Sequence, residues 1–116
     1  VADVTGLSQG ERQALAAAGV VHLTQLSGWG GTGRWERVRS TLGDSGTARL
    51  RDLARLYLHQ GIGTTFGNRL VAAGYRSLDD LRGAGVDEVW ARLAAAEAPG
   101  RAPTRSQVKV WLRRLP

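Results

Sequence analysis

The sequence contains no cysteine and no methionine, only three prolines, one phenylalanine and, in Lys109, a single lysine. Without cysteine there is no disulfide framework, no thiol nucleophile and no thiolate zinc site, and a reducing, cytoplasmic setting is expected. Long apolar runs are missing as well. The longest, residues 14–21, already contains Gly19 and falls far short of the ~20 residues a membrane helix needs. The start, Val1-Ala2-Asp3-Val4, has an early acid and no basic segment leading into an apolar one, so no secretory signal is expected. Because the chain opens on valine, a larger parent protein is expected. Alternating β-branched runs are also absent, which removes the usual strand signal and leaves an all-α expectation.

What is present is enough for one core. The 116 residues and 42% hydrophobic content suit a single domain spanning 1–116. The net charge of +6 and a pI near 11.2 favour an anionic partner. Fifteen of the sixteen cations are arginine, and alanine, glycine and leucine are heavily used, a pattern that GC-rich coding bias also produces. Position must therefore decide what the charge means.

Sliding the chain against itself by 55 residues reveals an ordered set of identities. Gly6 falls on Gly61, Leu15 on Leu70, Ala17-Ala18-Gly19 on Ala72-Ala73-Gly74, Leu23 on Leu78, Leu26 on Leu81, Gly28 on Gly83, Trp35 on Trp90 and Arg37 on Arg92. This predicts two repeats, 5–59 and 60–116, each of about four short helices and related by a pseudo-twofold. In the first, Ser8-Gln9-Gly10-Glu11 has the form of a capping box, and Gly19 suits the left-handed position beyond a helix end. Gly74 and Ser77-Leu78-Asp79-Asp80 play the matching parts in the second. Later helices are predicted over 34–42 and about 48–59, with Leu50, Leu53, Ala54 and Tyr57 inward. A last one opens at Thr104 and buries Val108, Trp111, Leu112 and Leu115. Trp35 and Trp90 read as equivalent core anchors. Trp29, within Gly28-Trp29-Gly30-Gly31, fits either a lid on the core or an exposed contact.

The most specific local string is Gln60-Gly61-Ile62-Gly63-Thr64-Thr65. Two glycines around one apolar residue permit a tight turn in which the apolar side chain plugs the core and the following amides face outward. Amides at a helix start, reinforced by the helix dipole, bind anions. Together with Phe66-Gly67-Asn68-Arg69-Leu70 through Leu81, the string resembles the helix-hairpin-helix motif of DNA repair, recombination and competence proteins. Thr5-Gly6-Leu7-Ser8 resembles a degenerate copy. The C-terminal part, with Trp90-Ala91-Arg92-Leu93 and Pro103-Thr104-Arg105-Ser106, is similar to a little-characterised bacterial family of tandem helix-hairpin-helix domains without assigned function.

The resemblance implies a non-enzymatic, sequence-independent DNA-binding domain that grips the phosphate backbone. Gly61, Ile62, Gly63, Thr64 and Thr65 would form the main contact, with charge from Arg69, Arg101, Arg105 and Lys109. Gly6, Leu7, Ser8 and Gly10 would form a weaker one, since Ser8 stands where the second glycine is expected. It leaves room for a hairpin-bound monovalent cation and calls for no other cofactor, no small-molecule substrate and no membrane. Arg101, Arg105 and Lys109, spaced by four within an acid-free stretch from residue 98 onward, read as a basic stripe. With about four phosphates engaged, log affinity would fall with log salt at a slope of about −3.6. The alternative is a protein-interaction or scaffold domain, which Ser8 and the missing lysines after the hairpins favour.

Catalytic patterns are weak. His22 and His59 lack a nucleophile motif beside them, and Asp79-Asp80 and Asp87-Glu88 sit where acids favour a helix start. Gly28 to Gly33 lacks the lysine and hydroxyl of a phosphate-binding loop, and the residues present suggest no metal site.

Overall fold

The computed structural model describes residues 3–28, 33–96 and 102–115. Among them lie six α-helices and one 3-10 helix and no strand, so the fold is all-α. The order is α1 (Gln9–Ala17), a 3-10 helix (Leu23–Gly28), α2 (Arg34–Leu58), α3 (Gly63–Ala72), α4 (Leu78–Ala84), α5 (Val86–Ala96) and α6 (Arg105–Arg113). Trp29 and Arg101 lie outside the described residues.

Local signals place the helix ends. Ser8 Oγ accepts from the Glu11 amide at 3.2 Å while Glu11 Oε1 accepts from the Ser8 amide at 2.8 Å, which satisfies two orphan donors at the start of α1. Thr104 and Gln107 build the same box on α6, and Ser77 caps α4. At the other ends, Gly19 (φ 80°) and Gly74 (φ 103°) turn the chain through left-handed backbone. There Val20 donates to the Leu15 carbonyl and Tyr75 to that of Leu70, both at 2.9 Å, so two caps 55 residues apart close alike.

The sequence separates 34–42 from a helix opening near residue 48, but α2 covers both. Its continuity is broken only at Gly43, whose φ of 75° and ψ of 177° redirect the chain. The helix resumes directly afterwards, with Asp44 in its first turn, where an acid meets the positive end of the dipole. Thr47 Oγ1 donates back to the Gly43 carbonyl at 2.7 Å, which secures the elbow.

One apolar cluster joins all these elements, from Val4 and Leu15 through Leu50, Leu53 and Leu70 to Leu93 and Trp111. Helix α2 is its spine, packing on α1, the 3-10 helix, α3 and α4, while α6 lies on α5. Trp35 and Trp90 do not share a role. Trp35 is 8% exposed beneath the Arg51 guanidinium, whereas Trp90 is 38% exposed on α5, a correction to its reading as a core anchor. Helical spacing identifies an apolar position but not whether a neighbouring element covers it.

Tyr57 ties the N-terminal segment to α3. Its hydroxyl donates to Asn68 Oδ1 at 2.5 Å and accepts from the Gly6 amide at 3.2 Å; Asn68 in turn accepts from the Thr5 amide and donates to the Asp3 carbonyl. Burial pushes the Tyr57 pKa above the ordinary 10.0, opposed by the Gly6 hydrogen bond and by Arg76 and Arg12. The folded state therefore holds the phenol proton more tightly than the unfolded chain. Its contribution is intact below the unfolded phenol pKa and is lost as pH rises through the folded one. The Tyr57→Phe variant is expected to lose about 1–3 kcal/mol at neutral pH and to decline less steeply toward about pH 11, as urea unfolding at both pH values would measure.

Candidate nucleic-acid interface

The connection between α2 and α3 begins where His59 leaves the helix with φ −62° and ψ 137°. Ile62 donates to the His59 carbonyl at 3.1 Å and buries its side chain, while Gly61 (φ 91°) and Gly63 (φ 68°) take left-handed backbone on either side. Both glycines are exposed. The apolar plug between two outward glycines is the arrangement the sequence predicts.

Helix α6 clamps this hairpin. Trp111 Nε1 donates to the Gly61 carbonyl at 2.9 Å, and His59 Nε2 donates to the Trp111 carbonyl at the same distance. The ring of Phe66 lies 5.1 Å from that of Trp111, and the Arg69 guanidinium lies 5.6 Å from the Phe66 ring on α3. A side chain on Gly61 would meet the Trp111 indole at 3.1 Å. Neither His59 nor Trp111 belongs to the predicted site, because their partners are about fifty residues away in sequence and leave no local signal.

The start of α3 is open. Ile62 supplies no side-chain cap, and no acid occupies the first turn, so the amides of Gly63, Thr64 and Thr65 lack a side-chain acceptor. Thr65 is exposed, Thr64 half-buried, and Arg69 stands one turn beyond Thr65. A sequence signal for this environment does exist: no Asp or Glu occurs between Asp52 and Asp79, while Arg55, Arg69 and Arg76 fall in that interval. On its inner side, Gly63 and Thr64 border a hollow of about 200 Å³ shared with Asp3, His22, Thr24 and Tyr57. Asp3 is the only acid among the described residues of that lining.

The start of α1 is closed, which corrects the expectation for Gly6, Leu7, Ser8 and Gly10. The Gly6 amide is committed to the Tyr57 hydroxyl, and Leu7 is buried in the core. The Ser8 amide and hydroxyl are taken by Glu11, whose buried carboxylate faces the amides a phosphate would need. Gly10 packs toward Leu42 of α2. Like charge and prior hydrogen bonding thus disfavour a phosphate on these amides.

The basic stripe also changes. Arg105 Nε is paired with Asp87 Oδ1 at 2.8 Å, which anchors α6 to α5 and neutralises that cation. Lys109 is exposed but lies two residues before Trp111, about 200° around α6, so it points away from the hairpin. Arg114, the residue that caps α6, is exposed and stands three residues after Trp111, about 60° around the helix from it.

Among the described residues no group of three or more His, Asp or Glu side chains is placed to hold a metal ion, and no helix is long and apolar enough to cross a membrane. Comparison with protein-family models, curated proteins and solved structures gives no match to this chain.

Proposed function

We propose that this chain is a sequence-independent DNA-binding module of tandem helix-hairpin-helix type, with one working hairpin. The Gly63, Thr64 and Thr65 amides hold a backbone phosphate, and Arg69 and Arg114 add charge. The observation that carries this reading is the contrast between the two helix starts. At α1 a serine and a glutamate fill the anion position, whereas at α3 the position is uncapped and free of acid in its first turn. Such a start favours a phosphate through both orphan amides and dipole. Nothing in the arrangement reads base edges, so phosphate contacts supply position and affinity without sequence preference.

The test is fluorescence anisotropy of labelled duplex and single-stranded DNA over a salt series, comparing the parent with Thr64→Glu/Thr65→Glu. Two phosphates neutralised by Arg69 and Arg114 contribute about −1.8 to the log–log salt slope of the parent. The double variant is expected to weaken binding about tenfold or more, a loss of about 1.4 kcal/mol. Acids in the first turn stabilise a helix, so unfolding does not explain such a loss. Absence of duplex binding at low salt, or binding untouched by the variant, would remove the hairpin assignment.

A second reading, a protein-interaction or scaffold domain, is favoured by one observation: Trp90 is exposed on α5. It requires a stoichiometric protein partner that survives nuclease treatment and is lost on Trp90→Ala.

A further inference from the structure

The closed start of α1 borders a cleft of about 310 Å³ lined by Ser8, Glu11, Leu42, Gly46, Arg49 and Arg76. Three separate parts of the chain meet there: α1, the α2 segment beyond the Gly43 elbow, and the connection from α3 to α4. Two arginines and one carboxylate line it. That carboxylate is already committed, since Glu11 Oε1 accepts from the Ser8 amide at 2.8 Å and its side chain is only 9% exposed.

Arg76 reaches the same carboxylate from the connection between α3 and α4. Its Nη2 lies 3.5 Å from the Gly6 carbonyl and 3.9 Å from Glu11 Oε1, and its backbone amide donates to Asp80 Oδ2 at 2.9 Å. Both side-chain contacts are long and use Nη2 alone, leaving the Nε and Nη1 hydrogens without an acceptor among the described residues. Arg49 is exposed on the opposite wall, and no carboxylate among the described residues pairs with it. A planar guanidinium matches phosphate oxygens in pairs, which a point charge does not. A second arginine-lined hollow, at the α2 elbow, offers less: Arg39 is bound to Glu36 and to Asp44, and Asp52 also lines the wall.

We infer that Arg49 and Arg76 form a phosphate-binding cleft, with Glu11 as the buried group that positions Arg76. Resting on the DNA reading above, the phosphate is a second backbone phosphate, gripped by side chains where the first hairpin has lost its amides. Free phosphate is the other source of the same chemistry.

Two measurements separate the cases. Inorganic pyrophosphate is titrated into ¹⁵N-labelled protein while the Nε–Hε signals of Arg49 and Arg76 are followed, in the parent, Arg49→Ala and Thr64→Glu/Thr65→Glu. Duplex anisotropy over a salt series is run on the same three proteins. Saturable movement of both signals is expected in the parent and in the hairpin variant, with the Arg76 signal unmoved in Arg49→Ala. The duplex salt slope of Arg49→Ala is expected to be shallower by about 0.9. Failure of pyrophosphate to move either signal overturns the cleft, whatever the DNA result. Movement with an unchanged duplex slope overturns the backbone assignment and leaves free phosphate as the ligand. If the parent binds no duplex at low salt while the signals still move, the DNA reading fails and the cleft stands.

Discussion

Replacing Trp111 by alanine is expected to destabilise the fold by about 3–5 kcal/mol, the range for truncating a large buried aromatic. The side chain is 2% exposed, and truncation removes its contact with Phe66 as well as the hydrogen bond to the Gly61 carbonyl. The loss is therefore both cavity and polar. Against a typical domain stability of about 5–15 kcal/mol, it leaves a chain that unfolds at low denaturant. Trp111→Phe separates the two contributions, since it keeps most of the apolar volume and removes the indole N–H. It is expected to cost about 0.5–1.5 kcal/mol by urea unfolding. Because the lost bond holds Gly61, Trp111→Phe is also expected to weaken DNA binding, whereas a remote core truncation of equal cost is not.

A single methyl group at position 67 gives the second large effect. Helix propensity alone makes Gly67→Ala stabilising by about 1 kcal/mol. The surroundings reverse the sign. A Cβ there would lie 2.6 Å from Tyr57 Cε1 and nearer still to Cδ1, closer than side-chain carbons approach in folded proteins. Tyr57 has little room to retreat, because a Cβ on Gly6 would meet its hydroxyl oxygen at 2.8 Å, so the ring lies in a slot between two glycines. Overpacking of this kind costs about 1–3 kcal/mol, and net destabilisation of about 2 kcal/mol is expected. Thermal unfolding of Gly67→Ala beside Gly83→Ala makes the comparison direct. Gly83 is also in a helix but has no atom near its would-be Cβ, so propensity acts alone there and the melting temperature is expected to rise.

Features set by three to five consecutive residues were legible in the sequence. The boxes at Ser8 and Thr104, the left-handed glycines at 19 and 74, and the buried Ile62 between Gly61 and Gly63 all follow from local hydrogen bonding and backbone sterics. What was illegible depends on distant partners. Gly6 has the same local look as Gly61, yet Tyr57, fifty-one residues away, takes its amide. Arg105 and Lys109 share the spacing of a basic stripe, but the position of Asp87 and the direction of Trp111 assign them different surroundings. Trp90 repeats the register of Trp35 without receiving an equivalent cover. Ser8 in place of a second glycine sets the first hairpin apart in the sequence, while the buried glutamate on its amide emerges only from the folded geometry.

The central claim is that backbone amides at the start of α3, and not those at the start of α1, hold a phosphate. It is tested most directly by following backbone amide shifts in ¹⁵N-labelled protein as a short duplex DNA is added at low salt. Saturable shifts are expected at Gly63, Thr64 and Thr65, larger than any at Gln9 and Gly10. Shifts at Gln9 and Gly10 with none from Gly63 to Thr65 would contradict it, as would a saturating complex in which neither helix start responds.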